Sequence, residues 1–323
     1  WANSFKDRKT PLSKRFIENF RKDLYFAKEE DLGFSEIKNI SINYNNIKYK
    51  ELKSRKDILQ LFLENALKPN ESITINITYI IKIPNAKYTG YGFYKNGYRL
   101  RYWYITPAIY NQGWQLMSNL NLDDLFEDYT TFNIDLKIPK KLHLTGSLEQ
   151  TKESNKTHNS FYLFGNNEKD VLLDIQEINT FKKFNTDTHE IQTNILEEEI
   201  NNSITENLLN RELQFLTVYL GILPIKKILI DEVMRNKNPV YGLNQLPSFI
   251  RPFSDVFNHD LTLFKALSRK YLKQTLLLNE RKDYWLIDGL QNYLMIEYVN
   301  KFYPDMKLLG KAADTWLLRR SQI

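Results

Sequence analysis

Near residue 200 the hydrophobic repeat of this 323-residue chain changes from two residues to between three and four. That switch restricts the fold to a strand-rich first part followed by a part built on helices. From Ile37 to about Thr193 the apolar residues come in short alternating runs, such as Ile40-Ser-Ile-Asn-Tyr44, Ile73-Thr-Ile-Asn-Ile77, Phe132 to Ile138 and Val171 to Ile175. β-Branched and aromatic residues at a period of two mark half-buried strands, and many short strands predict an antiparallel β-sandwich. The run Ile58-Leu-Gln-Leu-Phe-Leu63 reads equally as a short helix or a buried strand. Before Ile37 only scattered apolar pairs interrupt the charges, so residues 1–36 read as an irregular lead-in.

Beyond residue 200 the spacing predicts helices. Leu208, Leu209, Leu213, Leu216 and Tyr219 share one face and stop at Gly221, and Ile225 to Asp231 reads as the strand that follows. Leu263, Phe264, Leu267, Tyr271 and Leu272 line a second helix, which places Lys265 and Arg269 one turn apart on a common face. His259 then precedes that helix and shapes its start beside an Asn258 cap. A third helix carries Leu286, Leu290, Tyr293, Leu294, Tyr298 and Phe302, and Pro304 stops it.

Composition removes several function classes. The net charge of +6 arises from 45 basic and 39 acidic residues mixed along the chain, without the clustered basic stripe of a nucleic-acid binder. With no cysteine there is neither a disulfide nor a thiolate site. No apolar run approaches the roughly 18 residues of a transmembrane segment. The chain starts at Trp1 without an initiator Met or a signal peptide, which reads as a processed or partial product.

The pair of helices between Lys265 and Tyr293 resembles the site of the gluzincin aminopeptidases, the aminopeptidase N family. There an H-E-x-x-H helix supplies two zinc ligands and a general base, and a W-L-x-E-G-x-x-x-Y helix supplies a third ligand. Here the first frame reads Lys265-Ala-Leu-Ser-Arg269 and the second Trp285-Leu-Ile-Asp288-Gly-Leu-Gln-Asn-Tyr293, at the family's separation. Leu67-Lys-Pro-Asn-Glu-Ser72 is similar to the family's L-x-P-G-x-S turn, and Trp103 to Pro107 with Gly113-Trp114 is similar to its W-Y-P…W stretch. Tyr241-Gly-Leu-Asn-Gln-Leu-Pro247 is a loose match to the G-x-M-E-N loop, in which Gly242 and Gln245 would form a degenerate amine-binding site. The resemblance implies an α+β chain: an N-terminal antiparallel β-sandwich domain over residues 37–200, then the front part of a thermolysin-like catalytic domain over residues 201–323. The family's transition-state tyrosine would fall beyond Ile323.

By the same resemblance, Lys265 and Arg269 stand where the histidine ligands would be, Ala266 where the base would be and Asp288 where the glutamate would be. Zinc takes neutral imidazole, thiolate or carboxylate donors, and lysine and arginine are cations at neutral pH. The expected cofactor, zinc, is therefore read as lost, with no catalytic residue intact and no metal ligand. His143, His158, His189 and His259 supply no pair at ligand spacing; His189-Glu-Ile-Gln-Thr193 begins like the motif but reads as a surface His–Glu pair. Two outcomes are open for the cations: Lys265, Arg269 or both take the metal's place and pair with Asp288, or both reach solvent and Asp288 is satisfied locally.

The function expected on this reading is that of an inactive pseudo-peptidase binding a protein or peptide within a larger assembly, at the cell envelope or in an extracytoplasmic bacterial compartment. Two alternatives stand beside it. One is an active zinc aminopeptidase completed by an atypical site or a missing segment. The other is a carbohydrate-binding sandwich using the aromatics between Tyr88 and Trp114, which otherwise fill the core.

Overall fold

The alternating segments of the first part form four antiparallel sheets in the computed structural model, which describes residues 1–116, 118, 120, 125–240 and 253–305. In one, β1 (Phe34–Ile42) lies between β2 (Asn45–Asn46) and β5 (Ile75–Lys82). In a second, β3 (Lys48–Leu52) pairs with β4 (Arg55–Phe62), so the run that periodicity left open between helix and strand is a strand. β6 (Gly92–Tyr94), β7 (Gly97–Arg101), β12 (Leu172–Gln176) and β9 (His143–Gly146) make a four-stranded sheet in that order. β10 (Glu149–Ser154), β11 (His158–Glu168) and β8 (Thr130–Pro139) make a three-stranded one.

The last two sheets face each other and share a core. Leu100, Leu144, Leu173 and Ile175 come from one, and Ile138, Phe161 and Leu163 from the other. This is the packing of a β-sandwich. Asn70 has φ of 65°, the left-handed region that glycine and asparagine tolerate, at the position that reads glycine in L-x-P-G-x-S.

Residues 1–36 are more ordered than an irregular lead-in. A 3-10 turn over Ala2–Phe5 leads to α1 (Pro11–Glu18), where the Thr10 side chain caps the helix and Pro11 occupies its first position. Phe5, Leu12, Phe16 and Leu24 pack with Tyr88 into a small core of their own. The helix escapes a periodicity reading because it has only eight residues and buries only two large apolar side chains.

The second part starts from a hairpin, β13 (Lys182–Asn185) with β14 (Glu190–Thr193). β14 runs parallel to β15 (Lys227–Ile230), and α2 (Asn202–Leu220) makes the crossover a parallel pair needs. Asn201 caps α2 and Gly221, at φ of 82°, ends it. α3 (Glu232–Lys237) follows β15 under an Asp231 cap, then α4 (Asp255–Thr275) and α5 (Glu280–Phe302) pack on α2 and on each other. At their centre Phe264 stacks on Tyr298 at 4.1 Å between ring centroids, with Phe215 edge-on to both.

Two details of the helices differ from the expected pattern. α4 begins at Asp255 on a Ser254 cap, so His259 lies inside it, buried, with Nε2 3.1 Å from the Thr205 hydroxyl. The buried stripe of α5 is Ile287, Gln291, Leu294 and Tyr298, while Leu286 and Leu290 are half-buried and Tyr293 is 51% exposed. Apolar residues surround α5 on most sides, so spacing alone allows neighbouring stripes. α4 selects the one carrying Gln291, whose amide donates to the Lys265 carbonyl at 2.7 Å and the Ser268 hydroxyl at 3.1 Å.

Arg99 fastens the two parts together. Its guanidinium donates to Asp174 of β12 at 2.8 Å and to Glu232 of α3 at 3.2 Å.

Candidate functional site

Lys265, Ala266 and Arg269 lie on α4, and Asp288 faces them from α5. The Arg269 guanidinium donates to Asp288 Oδ1 and lies over the Tyr284 ring, its carbon 4.6 Å from the ring centroid. Tyr284 and Asp288 are one turn apart on α5, so a single face both stacks on the arginine and neutralises it. Lys265 is buried and its ammonium donates to the Pro239 carbonyl at 2.6 Å, which ties α4 to the segment after α3. Burial pulls its pKa down; the Asp288 charge opposes that and Arg269 adds to it. Gln291, one turn beyond Asp288, accepts from Asn238 at 2.9 Å, so α3, α4 and α5 converge here.

The ion pair positions the helices more than it stabilises them. The Asp288 side chain is 44% exposed against 12% for Arg269, and water screens the pair. Asp288→Asn is expected to lower the unfolding free energy by only about 1 kcal/mol, measured by urea denaturation; a loss several times larger would mean that the carboxylate holds the fold.

These residues do not fit zinc. A guanidinium and an ammonium are not donors to a metal, and the one carboxylate in the frame is engaged by Arg269. Among the described residues no three His, Asp or Glu side chains converge in a metal-binding arrangement. His189 is buried just ahead of β14 rather than forming a surface pair, with Nε2 3.2 Å from the Leu223 carbonyl. Gly242 and Gln245 lie outside the described residues.

Beside the ion pair is a cavity of about 70 Å³ between α3, α4, α5 and the sandwich. Arg101, Lys237, Arg269, Lys270 and Lys273 line it together with the rings of Tyr91 and Tyr284. The acidic partners stand behind this lining: Asp170 accepts from Arg101 at 2.7 Å with Lys270 at 3.4 Å, and Glu280 meets Lys273 at 2.5 Å. Burial raises the Asp170 pKa, but Arg101 and Lys270 overcome it and hold the carboxyl well below its ordinary range. No sequence motif singles out Lys270 and Lys273, although they follow Arg269 on one helix. Arg101 and Asp170 reach the site from distant strands and loops, and no local spacing marks them.

The aromatic segment is mostly structural. Tyr88, Tyr91 and Tyr102 are buried, and Trp103 and Tyr104 pack on the sandwich core, so none of these presents an open face to a sugar. Tyr98, Tyr110 and Trp114 are the exposed members, the last two edge-to-face at 5.2 Å.

Neither a protein-family profile nor a curated protein matches the sequence. A two-domain M1 zinc metallopeptidase with L-arginine bound superposes with a TM-score of 0.52 at 14% identity, over 90% of this chain and 66% of that one. The M1 zinc metallopeptidase of Deinococcus radiodurans with a Tyr-Ser-Ala substrate gives 0.53 at 14% identity over the same shares, and a complex with L-tryptophan gives 0.51 at 15%. The fold is that of the M1 zinc metallopeptidases. This chain spans about 66% of the length of those two-domain proteins, so what the M1 fold shares with it is architecture: an antiparallel sandwich followed by a mixed sheet-and-helix part.

Proposed function

We propose that this chain is a catalytically inactive relative of the M1 metallopeptidases that uses the place of their active site to hold a protein or peptide. The observation that carries the reading is the Arg269–Asp288 ion pair, with Lys265 one turn earlier on α4. By the H-E-x-x-H frame, the two ligand positions are cationic, the base position is Ala266, and the remaining carboxylate is spent on arginine. Peptide hydrolysis in that frame needs a metal to acidify water and a carboxylate to take the proton, and these side chains supply neither. The division into residues 37–200 and 201–323 belongs to the same proposal; the β13–β14 hairpin, which joins the sheet and core of the second part, favours moving the boundary ahead of Lys182.

A panel of aminoacyl reporters tests the reading. The purified chain supplied with zinc is expected to hydrolyse none above the rate without protein. Turnover that a chelator abolishes and zinc restores would overturn it.

A further inference from the structure

Charge is mixed along this chain except at two neighbouring places. Residues 102–122 carry no charged side chain in a chain that is 26% charged, and residues 48–56 hold five cations and one carboxylate. The core accounts for the start of the uncharged run, where Tyr102 is buried and Trp103 and Tyr104 pack on the sandwich. It does not account for Ile105, Tyr110, Trp114 and Leu116, which are exposed, Tyr110 by 69% and Trp114 by 64%.

A compact turn holds the two rings outward. The Gln115 N–H donates to the Ile109 carbonyl at 2.9 Å, the Asn111 N–H donates to the Gly113 carbonyl at 3.0 Å, and Gly113 takes a φ of 131°, which few other residues adopt. Arg55, exposed at the turn of the β3–β4 hairpin, donates to the Leu116 carbonyl at 2.9 Å, so the basic hairpin ends two residues from Trp114. Lys48, Lys50 and Lys53 are exposed on the same hairpin. Of the carboxylates beside it, Asp7 accepts from Lys56 and Glu51 meets Lys6 at 3.7 Å. Asp57 accepts from the Ser118 hydroxyl at 3.1 Å and, with Glu127, lines a cavity between the hairpin and the loop. Glu64 lies past Phe62, at the end of the hairpin away from Arg55. Attraction to an anionic surface sums over exposed charge and does not require any of these cations to be unpaired.

Tryptophan and tyrosine seat at the boundary between acyl chains and headgroups, with the ring body in the apolar layer and the polar edge in the wet one. A charged residue would oppose that entry, so a loop without any suits it. Exposed lysine and arginine beside the loop add attraction to anionic headgroups.

We infer that this face docks the chain peripherally on an anionic lipid surface, with Tyr110 and Trp114 entering the interface and Lys48, Lys50, Lys53 and Arg55 meeting the headgroups. Exposed rings alone would also suit a sugar; the basic hairpin against the turn is what points to lipid. The inference is independent of the inactive-peptidase reading.

Co-sedimentation of the whole chain at low salt with phosphatidylcholine vesicles, with and without phosphatidylglycerol, provides the test. Binding is expected to be tighter by about tenfold or more when phosphatidylglycerol is present. Tyr110→Ser with Trp114→Ser, and separately Lys50→Glu with Lys53→Glu, are each expected to weaken it by about tenfold with the melting temperature unchanged. Val218→Ser and Lys226→Glu, 77% and 84% exposed on the second part of the chain, are expected to leave it unchanged. Brominated lipid should quench the tryptophan emission of the wild type more than that of Trp114→Phe. Absence of binding to the anionic vesicles would overturn the inference. So would binding that Tyr110→Ser with Trp114→Ser leaves intact, which would be adsorption of a basic protein without insertion, or binding that a soluble glycan displaces.

Discussion

Asp260→Ala is expected to lower the unfolding free energy by about 3–5 kcal/mol, the range for breaking a buried charged network by removing one partner. Asp260 is fully buried on α4. It accepts from the Arg211 guanidinium at 2.7 Å, the Tyr298 hydroxyl at 2.9 Å and the Tyr303 hydroxyl at 2.7 Å. The alanine would leave these donors facing one another, with the arginine charge only partly open to water. The three helices it joins form the frame that holds Lys265, Arg269 and Asp288, so the same substitution should loosen the candidate site. Urea denaturation measures the effect, and a loss below about 1 kcal/mol would show that the network stabilises no more than a surface ion pair.

The second large effect is on pH dependence. Glu212 is fully buried on α2, neither of its oxygens meets a donor, and the group facing it is Asp260. Burial raises its pKa well above the ordinary range, and the neighbouring carboxylate raises it further, because two carboxyls in contact resist a second charge. Glu168 is pushed up by burial to about 7, against the pull of Lys270. The folded state therefore keeps protons that the unfolded chain releases near pH 4.5. The stability these groups contribute is full below that pH and is lost as pH rises through their folded values. For Glu168 alone, a shift from 4.5 to about 7 corresponds to roughly 3 kcal/mol.

Asp170 has the opposite sign: its depressed pKa contributes stability that is lost only as pH falls below the ordinary carboxylate range. Between pH 5 and about 7.5 the glutamates, joined by Glu127, are opposed by His259 and the Trp1 amine, which burial pulls below their ordinary values. Towards the upper end Lys169 and Lys227, pulled down to about 8, oppose them as well, but the glutamates carry the larger shifts within that window. Unfolding free energy should fall across that window, and Glu212→Gln and Glu168→Gln should each flatten the fall. A wild-type profile flat from pH 5 to 7.5 would contradict this account.

Much of the architecture was legible in local pattern. Gly221 marked the end of α2, the alternation in β8 marked a strand with one buried face, and the short apolar runs of β12 and β15 marked strands buried along their whole length. The Arg269–Asp288 contact was one of the two outcomes left open for the cations, since residues one turn apart share a helix face. The start of α4 was not legible, because its first turns carry His259 and Asp260, polar side chains that are buried through partners on α2 and α5. Nor was the face of α5, where a glutamine takes a core position to satisfy a carbonyl on α4. The cationic cavity depends on Arg101 and Asp170, 69 residues apart, which only the tertiary fold brings together.

The central claim is that this M1 fold has exchanged its metal for an ion pair. Elemental analysis for zinc on purified, chelator-rinsed protein tests it most directly. The account predicts far less than one zinc per chain after zinc is supplied and excess removed. One tightly held zinc per chain would contradict it, and would require ligands other than Lys265, Arg269 and Asp288.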